Sequence, residues 1–382
     1  MFKLTDGQKD AIRRSMMWYF AGDKREKNIF VLAGSAGTGK SSTASTLVHM
    51  LGLLPYQVLY VAPTGKAASV LRSKGCVANT IASTFYHVYR SSNKLSFVKR
   101  KKVPDTIKLI VIDEVSMVNG KIMEDILSFG IPVLALGDPG QLPPMYSANP
   151  YILNPDVFLQ EVMRQGGESG VLILATMARK QLDIPFGVYN ESKVIHMNEL
   201  KDIEKYDMVV CWTNQSRKEL NAYIRNKLGY TSPYPMQGEK LMCLKNNYEH
   251  LIDKDDMQIM PVNGMGMTAL TDAVDDGEFL NLVYSPPFIH KECFSTRVDK
   301  SAFDNYLTGE VDGDENENAF SDIPQDVVVL DYGYAGTCHK CQGSEWPNVL
   351  VIDEFRGSND MYSKWLYTAI TRASKSVTIA RT

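Results

Sequence analysis

The sequence predicts an α/β protein made of two similar units in tandem, each built on a mostly parallel sheet. Three observations predict it. Short apolar runs of strand type alternate with amphipathic helical stretches through the N-terminal part. The same alternation returns from Met208 to the end. Two segments break the rhythm and read as inserts. The chain has 382 residues, 44% hydrophobic and 22% charged, which suits two to four compact units of ordinary globular composition.

Each element follows from its residues. In "LTDGQKDAIRRSMMWYF", Thr5 or Asp6 serves as N-cap ahead of apolar residues at helical spacing. "IFVLAG" from Ile29 is a short buried strand, and "KSSTASTLVHMLGLL" is the helix after it. "QVLYVAP", "IKLIVIDE" and "PVLALGD" are further strands, each bounded by turn or helix signals. Strands alternating with helices imply parallel pairing. "YDMVVCWT" near Met208, "NVLVIDE" near Val349 and "SVTIA" near Val377 repeat the pattern. The first break, Tyr89 to Pro104, is short, polar and basic, and reads as a projecting hairpin or loop. The second, from about Glu239 to Gln325, carries short β-prone pieces among Gly, Asn and Asp, like a small β-barrel. Its run "EVDGDENEN" from Glu310 reads as a solvated acidic turn. The expected boundaries are 1–88 with 105–165 for the first unit, 89–104 for its insert, 166–238 with 326–382 for the second unit, and 239–325 for the barrel-like insert.

Composition excludes some classes. The net charge of −3 gives no global basic field, although a local basic groove stays open. Six cysteines, mostly isolated in apolar segments, do not form a disulfide framework. The polar start "MFKLTDGQKD" is no signal peptide, and no apolar run approaches the roughly 20 residues of a membrane helix. A soluble, cytoplasmic protein without a membrane partner is expected.

"GSAGTGKS" fits G-x-x-x-x-G-K-[ST] between a strand and a helix, the context this motif requires. Gly34, Ser35, Ala36, Gly37, Thr38 and Gly39, followed by Lys40, Ser41 and Ser42, would wrap a triphosphate with backbone N–H groups at a helix N-terminus. Lys40 would reach the β- and γ-phosphates and the Ser41 hydroxyl would ligate Mg2+. "LIVIDE" delivers Asp113 and Glu114 to a strand end, where open α/β sheets bind ligands. Asp113 would hold Mg2+, and Glu114 would act as the general base on the attacking water. The two motifs imply an NTP hydrolase with ATP and Mg2+ as cofactors. They do not say what the hydrolysis drives.

"YAGTCHKCQGSEW" from Tyr334 places Cys338, His339 and Cys341 within a few residues. A structural zinc site needs four ligands, and the sequence has no second C-x-x-C or C-x-x-H pair. A redox pair needs a thioredoxin-like context, which is missing. Small apolar fillers are the remaining reading.

The ordered set "GSAGTGKS", "APTGKAA", "TIASTFYHV", "VIDEVSMV", "LALGDPGQLPP", "EVMRQ", "YAGTCHKCQGSE" and "YTAITRAS" resembles the superfamily-one DNA helicases, and among them the 5′ to 3′ RecD/Dda-like branch. The resemblance runs from Leu4 to Thr378. It implies two RecA-like P-loop domains, with a wedge inserted in the first and an SH3-like β-barrel in the second. The cysteine-rich stretch then matches T-x-H-K-x-Q-G, with Cys338 and Cys341 on its free positions. By the same resemblance Gln8 would read the adenine edge, and Gln141 would sense the γ-phosphate and contact the catalytic water. Arg164 and Arg372 would be arginine fingers, with the two units clamping one ATP. Gln342 and Gly343 would lie on the nucleotide side. Thr64, Thr80, Ser83, Thr213, Asn214, Thr337 and His339 would face single-stranded DNA, gripping phosphates without reading bases. Ala82 stands where relatives often carry His. Phe97 beside "KRKK" is the wedge candidate, against the alternative of a basic loop touching phosphates. Phe85, His87 and Trp346 are either base-stacking platforms or core.

The resemblance therefore implies an ATP-dependent DNA helicase acting on single-stranded DNA and duplex junctions in replication, recombination or repair. Replication or recombination proteins are candidate partners, and a monomer is the default. A translocase that displaces proteins or remodels strands without strong unwinding is one alternative. A non-motor NTP switch that binds a partner protein is another.

Overall fold

The computed structural model describes residues 4–91, 94–144, 149–161, 169–245, 252–254, 257–259, 263–285, 294–308, 323–324 and 327–382. The chain divides into two units, Met1–Glu168 and Ser169–Thr382.

In the first unit, helix α1 (Asp6–Phe20) starts on Thr5. The Thr5 hydroxyl accepts from Gln8 N, and the Gln8 side chain accepts from Thr5 N, a reciprocal capping box. Strands β1 (Ile29–Gly34), β2 (Val58–Ala62), β3 (Ala78–Thr80) and, after a hairpin, β6 (Leu109–Ile112), β7 (Val133–Gly137) and β8 (Val157–Leu159) form one parallel sheet. The order is β3-β2-β6-β7-β1-β8. Successive residues point to opposite faces, and both faces are buried. Val31, Ile110, Ile112 and Val133 pack with Met123 and Ile126 of α5 (Gly120–Leu127). Phe30, Leu32, Val111 and Leu134 pack with Ile12 of α1 and Leu47 of α2 (Lys40–Met50). This double burial is why the strands read as unbroken apolar runs. Helices α3 (Gly65–Ser73), α4 (Ile81–Phe85) and α6 (Pro150–Leu153) complete the unit.

The segment expected to project over 89–104 is an antiparallel hairpin that begins earlier, with β4 (Tyr86–Ser91) and β5 (Lys94–Lys99). Its root is anchored. The Tyr86 hydroxyl donates to Asp125 at 2.8 Å, and Lys99 Nζ donates to Ser128 Oγ at 2.9 Å.

The second unit holds α7 (Gly170–Arg179), β9 (Gly187–Tyr189), β10 (Ser192–His196), β11 (Met208–Cys211) and α8 (Asn214–Leu228). An inserted sheet follows, with β12 (Lys240–Cys243), β15 (Gly266–Ala269), β16 (Val274–Asp275), β17 (Leu280–Ser285), β18 (Phe294–Val298), β19 (Val327–Val328) and β20 (Leu330–Tyr332). A small hairpin of β13 (Ile252–Lys254) and β14 (Met257–Ile259), and helix α9 (Ser301–Thr308), lie within it in sequence. The chain returns through β21 (Ala335–Thr337), α10 (Cys338–Cys341), β22 (Trp346–Ile352), α11 (Asn359–Ile370) and β23 (Ala373–Arg381). The α/β sheet has the order β21-β11-β22-β23-β10-β9 and is parallel except at β9.

The inserted sheet is ordered β19-β18-β17-β15-β12-β20. It is antiparallel except where β18 meets β19. Its edge strands β19 and β20 are separated by Val329 alone, so the sheet curls until its edges meet. It extends to Tyr332, beyond residue 325. The acidic run from Glu310 lies outside the described residues.

One face of α8 fastens the roots of the insert. Arg217, Asn221 and Arg225 recur at four-residue spacing and so share that face. Arg217 pairs with Asp331 where the insert leaves, both fully buried. Arg225 forks onto Glu239 where it enters, at 2.6 and 3.0 Å. Between them Asn221 Oδ1 accepts from Tyr334 N and Ala335 N at 3.0 and 2.8 Å. Apolar packing is continuous across the junction, with Val209 and Leu350 in one cluster with Leu241, Leu280, Phe303 and Leu330.

Candidate nucleotide site and nucleic-acid interface

The phosphate loop joins β1 to α2. Gly37 and Gly39 take left-handed φ of 78° and 79°, conformations that favour glycine. A Cβ on Gly34 would lie 2.6 Å from Thr38 Oγ1 and 3.0 Å from Leu159 Cβ, so only glycine fits there. Lys40 Nζ folds back across the loop and donates to Gly34 O at 2.8 Å and Ser35 O at 3.1 Å. The Ser41 hydroxyl donates to Asp113 Oδ2 at 3.2 Å. Residue Glu114 follows in a left-handed turn at φ 53°, and its N–H donates to Asp113 Oδ1 at 2.9 Å. A left-handed glutamate is backbone strain of about 1–2 kcal/mol, held next to the candidate metal ligand.

These residues fit Mg2+ and a triphosphate. The loop supplies N–H groups at a helix start, and Ser41 with Asp113 supplies adjacent hard oxygens. Mg2+ needs only one or two protein oxygens because it keeps water and phosphate ligands. Beyond β7, which pairs with β1, Gln141 is buried and its Oε1 has no hydrogen-bond partner, a group that a ligand or water would complete.

Gln8 sits at the start of α1, against the phosphate loop. It is 2% exposed. Its Oε1 accepts from Thr5 N and its Nε2 donates to Thr38 O at 3.0 Å. Both ends of the amide are engaged inside the protein, so Gln8 ties α1 to the phosphate loop.

The candidate DNA-facing threonines share one construction. Thr64, Thr80, Thr213 and Thr337 are the N-caps of α3, α4, α8 and α10, accepting from Ala67 N, Ser83 N, Ser216 N and Lys340 N at 3.0 to 3.4 Å. In the first unit, Ala62 of β2 is in register with Thr80 of β3. In the second, Cys211 of β11 is in register with Thr337 of β21. Each unit thus starts two threonine-capped helices from the ends of neighbouring parallel strands. Ser83 joins the pattern through Thr80, whose hydroxyl donates to Ser83 Oγ at 2.9 Å. Asn214 opens α8, and its amide oxygen is buried without a partner.

The remaining candidates are dispersed. His339 is partly buried, its ring centroid 6.1 Å from that of Trp212, and desolvation lowers its pKa. Gln342 is buried in the second unit, and Gly343 is left-handed at φ 72°. Phe97 is 43% exposed, its ring edge-on to Tyr86 at 6.4 Å. Phe85 is core, His87 is exposed and Trp346 is half-buried. Arg372 is 4% exposed, with Nε on Thr368 O, Nη1 on Ser344 O and Nη2 on Thr371 Oγ1 at 3.0 to 3.1 Å. Arg164 lies outside the described residues. Cys338 and Cys341 are fully buried. Burial pushes the Cys338 thiol up, and Cys341 Sγ sits where a Cβ on Gly336 would meet it at 2.8 Å. Among the described residues no three His, Cys, Asp or Glu side chains cluster as a metal site, and no helix is long and apolar enough to cross a membrane.

Sequence reading missed Glu354. The "VIDE" ending at Glu354 repeats the "VIDE" ending at Glu114, which was the available signal. Its Oε1 accepts from Trp212 N at 2.9 Å and Thr213 N at 3.5 Å, and its Oε2 from Ser216 Oγ at 2.7 Å.

A phosphate loop, a serine–aspartate pair and a mixed α/β architecture of two parallel-sheet units define a P-loop protein with the RecA-like helicase fold. The chain belongs to the family described as the AAA domain, whose model matches residues 3–199, and residues 332–380 match the UvrD-like helicase C-terminal domain. These two matches agree with the resemblance of its ordered motifs to the superfamily-one helicases. The chain is 25% identical to the ATP-dependent RecD2 DNA helicase of Deinococcus radiodurans, over 90% of this chain and 46% of that protein. It is 24% identical to the conjugal transfer protein TraA of Rhizobium radiobacter, over 97% of this chain and 32% of that one. It therefore spans less than half the length of these relatives. In fold it resembles the Pif1 helicase from Candida albicans, with a TM-score of 0.54 and 16% identity over 100% of this chain and 95% of that one. The Bacteroides Pif1 helicase in complex with ADP-AlF3 and single-stranded DNA gives 0.55 and 15%, over 99% and 92%.

Proposed function

We propose that the protein is an ATP-dependent DNA helicase that moves 5′ to 3′ on single strands and unwinds duplex. The observation that carries this reading is the matched pair of threonine-capped helix starts in both units, beside a single phosphate loop in the first. A lone NTP switch needs one such loop and no repeated backbone-binding platform. N-termini with hydroxyl caps suit phosphates and ignore base identity, as a motor passing every sequence requires.

Lys40 and the loop N–H groups hold the triphosphate. Ser41 and Asp113 hold Mg2+, which supplies charge neutralisation to the phosphates when bound. Glu114 takes the proton of the attacking water, and Gln141 orients that water. Arg164, Arg372 and Gln342 respond to the nucleotide from their own motifs. Thr64, Thr80, Ser83, Thr213, Asn214, Thr337 and His339 hold the strand. Phe97 on the hairpin serves as the wedge, and the curled inserted sheet takes the place of the SH3-like barrel. The setting is cytoplasmic, with single-stranded DNA and duplex junctions as partners.

A strand-displacement assay on 5′-tailed and 3′-tailed duplexes tests this, alongside ATPase with and without single-stranded DNA. Unwinding of the 5′-tailed substrate alone is expected. Displacement from the 3′ tail overturns the polarity, and ATPase indifferent to DNA overturns the motor. DNA-stimulated ATPase without displacement supports the second reading, a translocase, which hairpin strands of only six residues favour.

A further inference from the structure

We propose that Glu354 is a built-in phosphate mimic that occupies the strand-binding start of α8 and is displaced when a nucleic-acid phosphate arrives. The proposal rests on the reading of Thr213 and Asn214 as strand contacts. Glu354 lies 138 residues from Ser216 along the chain, just past the end of β22, yet its carboxylate sits on this helix start. It accepts from two consecutive backbone N–H groups, Trp212 and Thr213, and from the Ser216 hydroxyl. That donor set, adjacent backbone N–H groups with a hydroxyl at a helix N-terminus, is what a phosphate oxygen would use.

The hydrogen bookkeeping extends the argument. Ser216 Oγ gives its only hydrogen to Glu354 Oε2. Thr213 Oγ1 and Ser216 Oγ are 2.8 Å apart, and since Ser216 has no second hydrogen, Thr213 must be the donor between them. Thr213 Oγ1 also accepts from Ser216 N. With Glu354 in place, neither hydroxyl has a hydrogen for an incoming phosphate. Withdrawing the carboxylate frees the Ser216 hydroxyl and two N–H groups, and lets Thr213 turn outward. An anion replaces an anion, so the partly buried donors stay satisfied in both arrangements.

The same site adjoins the neighbouring strand. Trp212, whose N–H Glu354 holds, has its ring 4.4 Å from Phe355 and 6.1 Å from His339, by centroids. Release of Glu354 would therefore loosen a residue that touches both the Glu354 turn and the Thr337 to His339 motif. This makes the carboxylate a threshold on strand binding. Weak or brief contacts do not displace it, and a phosphate held by both helix starts does.

The test is fluorescence anisotropy of a labelled oligo-dT on the full chain, without nucleotide, over a range of salt concentrations. Glu354→Ala is expected to bind roughly tenfold tighter, the order for removing one charged competitor at shared donors. Its plot of log affinity against log salt should keep nearly the wild-type slope, because the same phosphate contact forms in both complexes once Glu354 is out of the way. Glu354→Gln keeps the shape and an acceptor, and should give a smaller gain. Adding Ser216→Ala to Glu354→Ala should remove most of the gain. A wild type that binds no oligo-dT overturns the strand-binding reading itself. A wild type that binds, with folded Glu354→Ala and Glu354→Gln binding no tighter, overturns the mimic alone. A gain that survives Ser216→Ala in full also overturns it, since general charge removal would then explain the effect.

Discussion

The side-chain amide of Gln8 donates to the carbonyl of Thr38 at 3.0 Å, joining the first turn of the first helix to the phosphate loop across 30 residues. Its oxygen is committed to Thr5 N. Such a residue shapes the loop. Gln8→Ala should raise KM for ATP and for GTP together, by about tenfold, since one buried hydrogen bond and a cap are lost. Steady-state kinetics with both nucleotides check this. A loss confined to ATP would make Gln8 a base reader.

His339 gives a pH signature. Burial holds its pKa below the usual value of about 6.5. Above that pH both folded and unfolded forms are neutral and the residue contributes nothing. Below it the unfolded chain binds a proton that the folded chain resists, so stability falls as pH drops through about 6.5 towards the lower folded value. The wild-type melting temperature should fall more steeply between about pH 7.5 and 5.5 than that of His339→Asn, with the sign reversed from a histidine held by a carboxylate. The variant should also lower DNA-stimulated ATPase more than the basal rate.

Arg372 is held by three acceptors in its own unit. Arg372→Ala strands buried Ser344 O, at about 1–3 kcal/mol, and leaves Thr368 O to the Thr371 hydroxyl alone. The expected result is a fall in melting temperature of at least about 5 °C together with lost ATPase. An arginine serving only the nucleotide would lose activity at constant stability. Arg372→Lys should not rescue, because one ammonium cannot span the fork.

Arg217 and Asp331 are both about 1% exposed. Arg217→Met takes the guanidinium away from a buried carboxylate and should cost about 3–5 kcal/mol. The double change Arg217→Met with Asp331→Leu should recover most of that, because removing both charges removes the desolvation cost too. Denaturant titration of the three variants measures it. A double variant as unstable as the single would mean that shape at this junction matters more than charge.

Much of the fold was legible because both faces of each α/β sheet are buried, so Ile29 to Gly34 and Leu109 to Ile112 read as unbroken strands. The phosphate loop was legible for a local reason, since its glycines and Lys40 are contiguous. The exact start of the hairpin was not, because Tyr86 and His87 are as compatible with a helix end as with a strand. The tie between Gln8 and the phosphate loop was not legible, because its partner Thr38 lies 30 residues on. Glu354 and the Arg217 to Arg225 face were invisible for the same cause. Their partners are distant in sequence, and a charge on a helix or strand end reads as solvated until its partner is known.

The four threonine caps carry a consequence for how such a chain can diverge. Where two helices begin is fixed by the spacing of adjacent strands, about 4.8 Å in any sheet, and the donors they present are backbone groups that no substitution removes except proline. The surrounding side chains are under no such constraint. If these caps hold a strand as proposed, only the cap itself is constrained, to serine, threonine or asparagine, because aspartate would cap the helix and repel phosphates. Distant kin are then better recognised by a hydroxyl or amide at the end of each of two paired strands than by any longer stretch of letters.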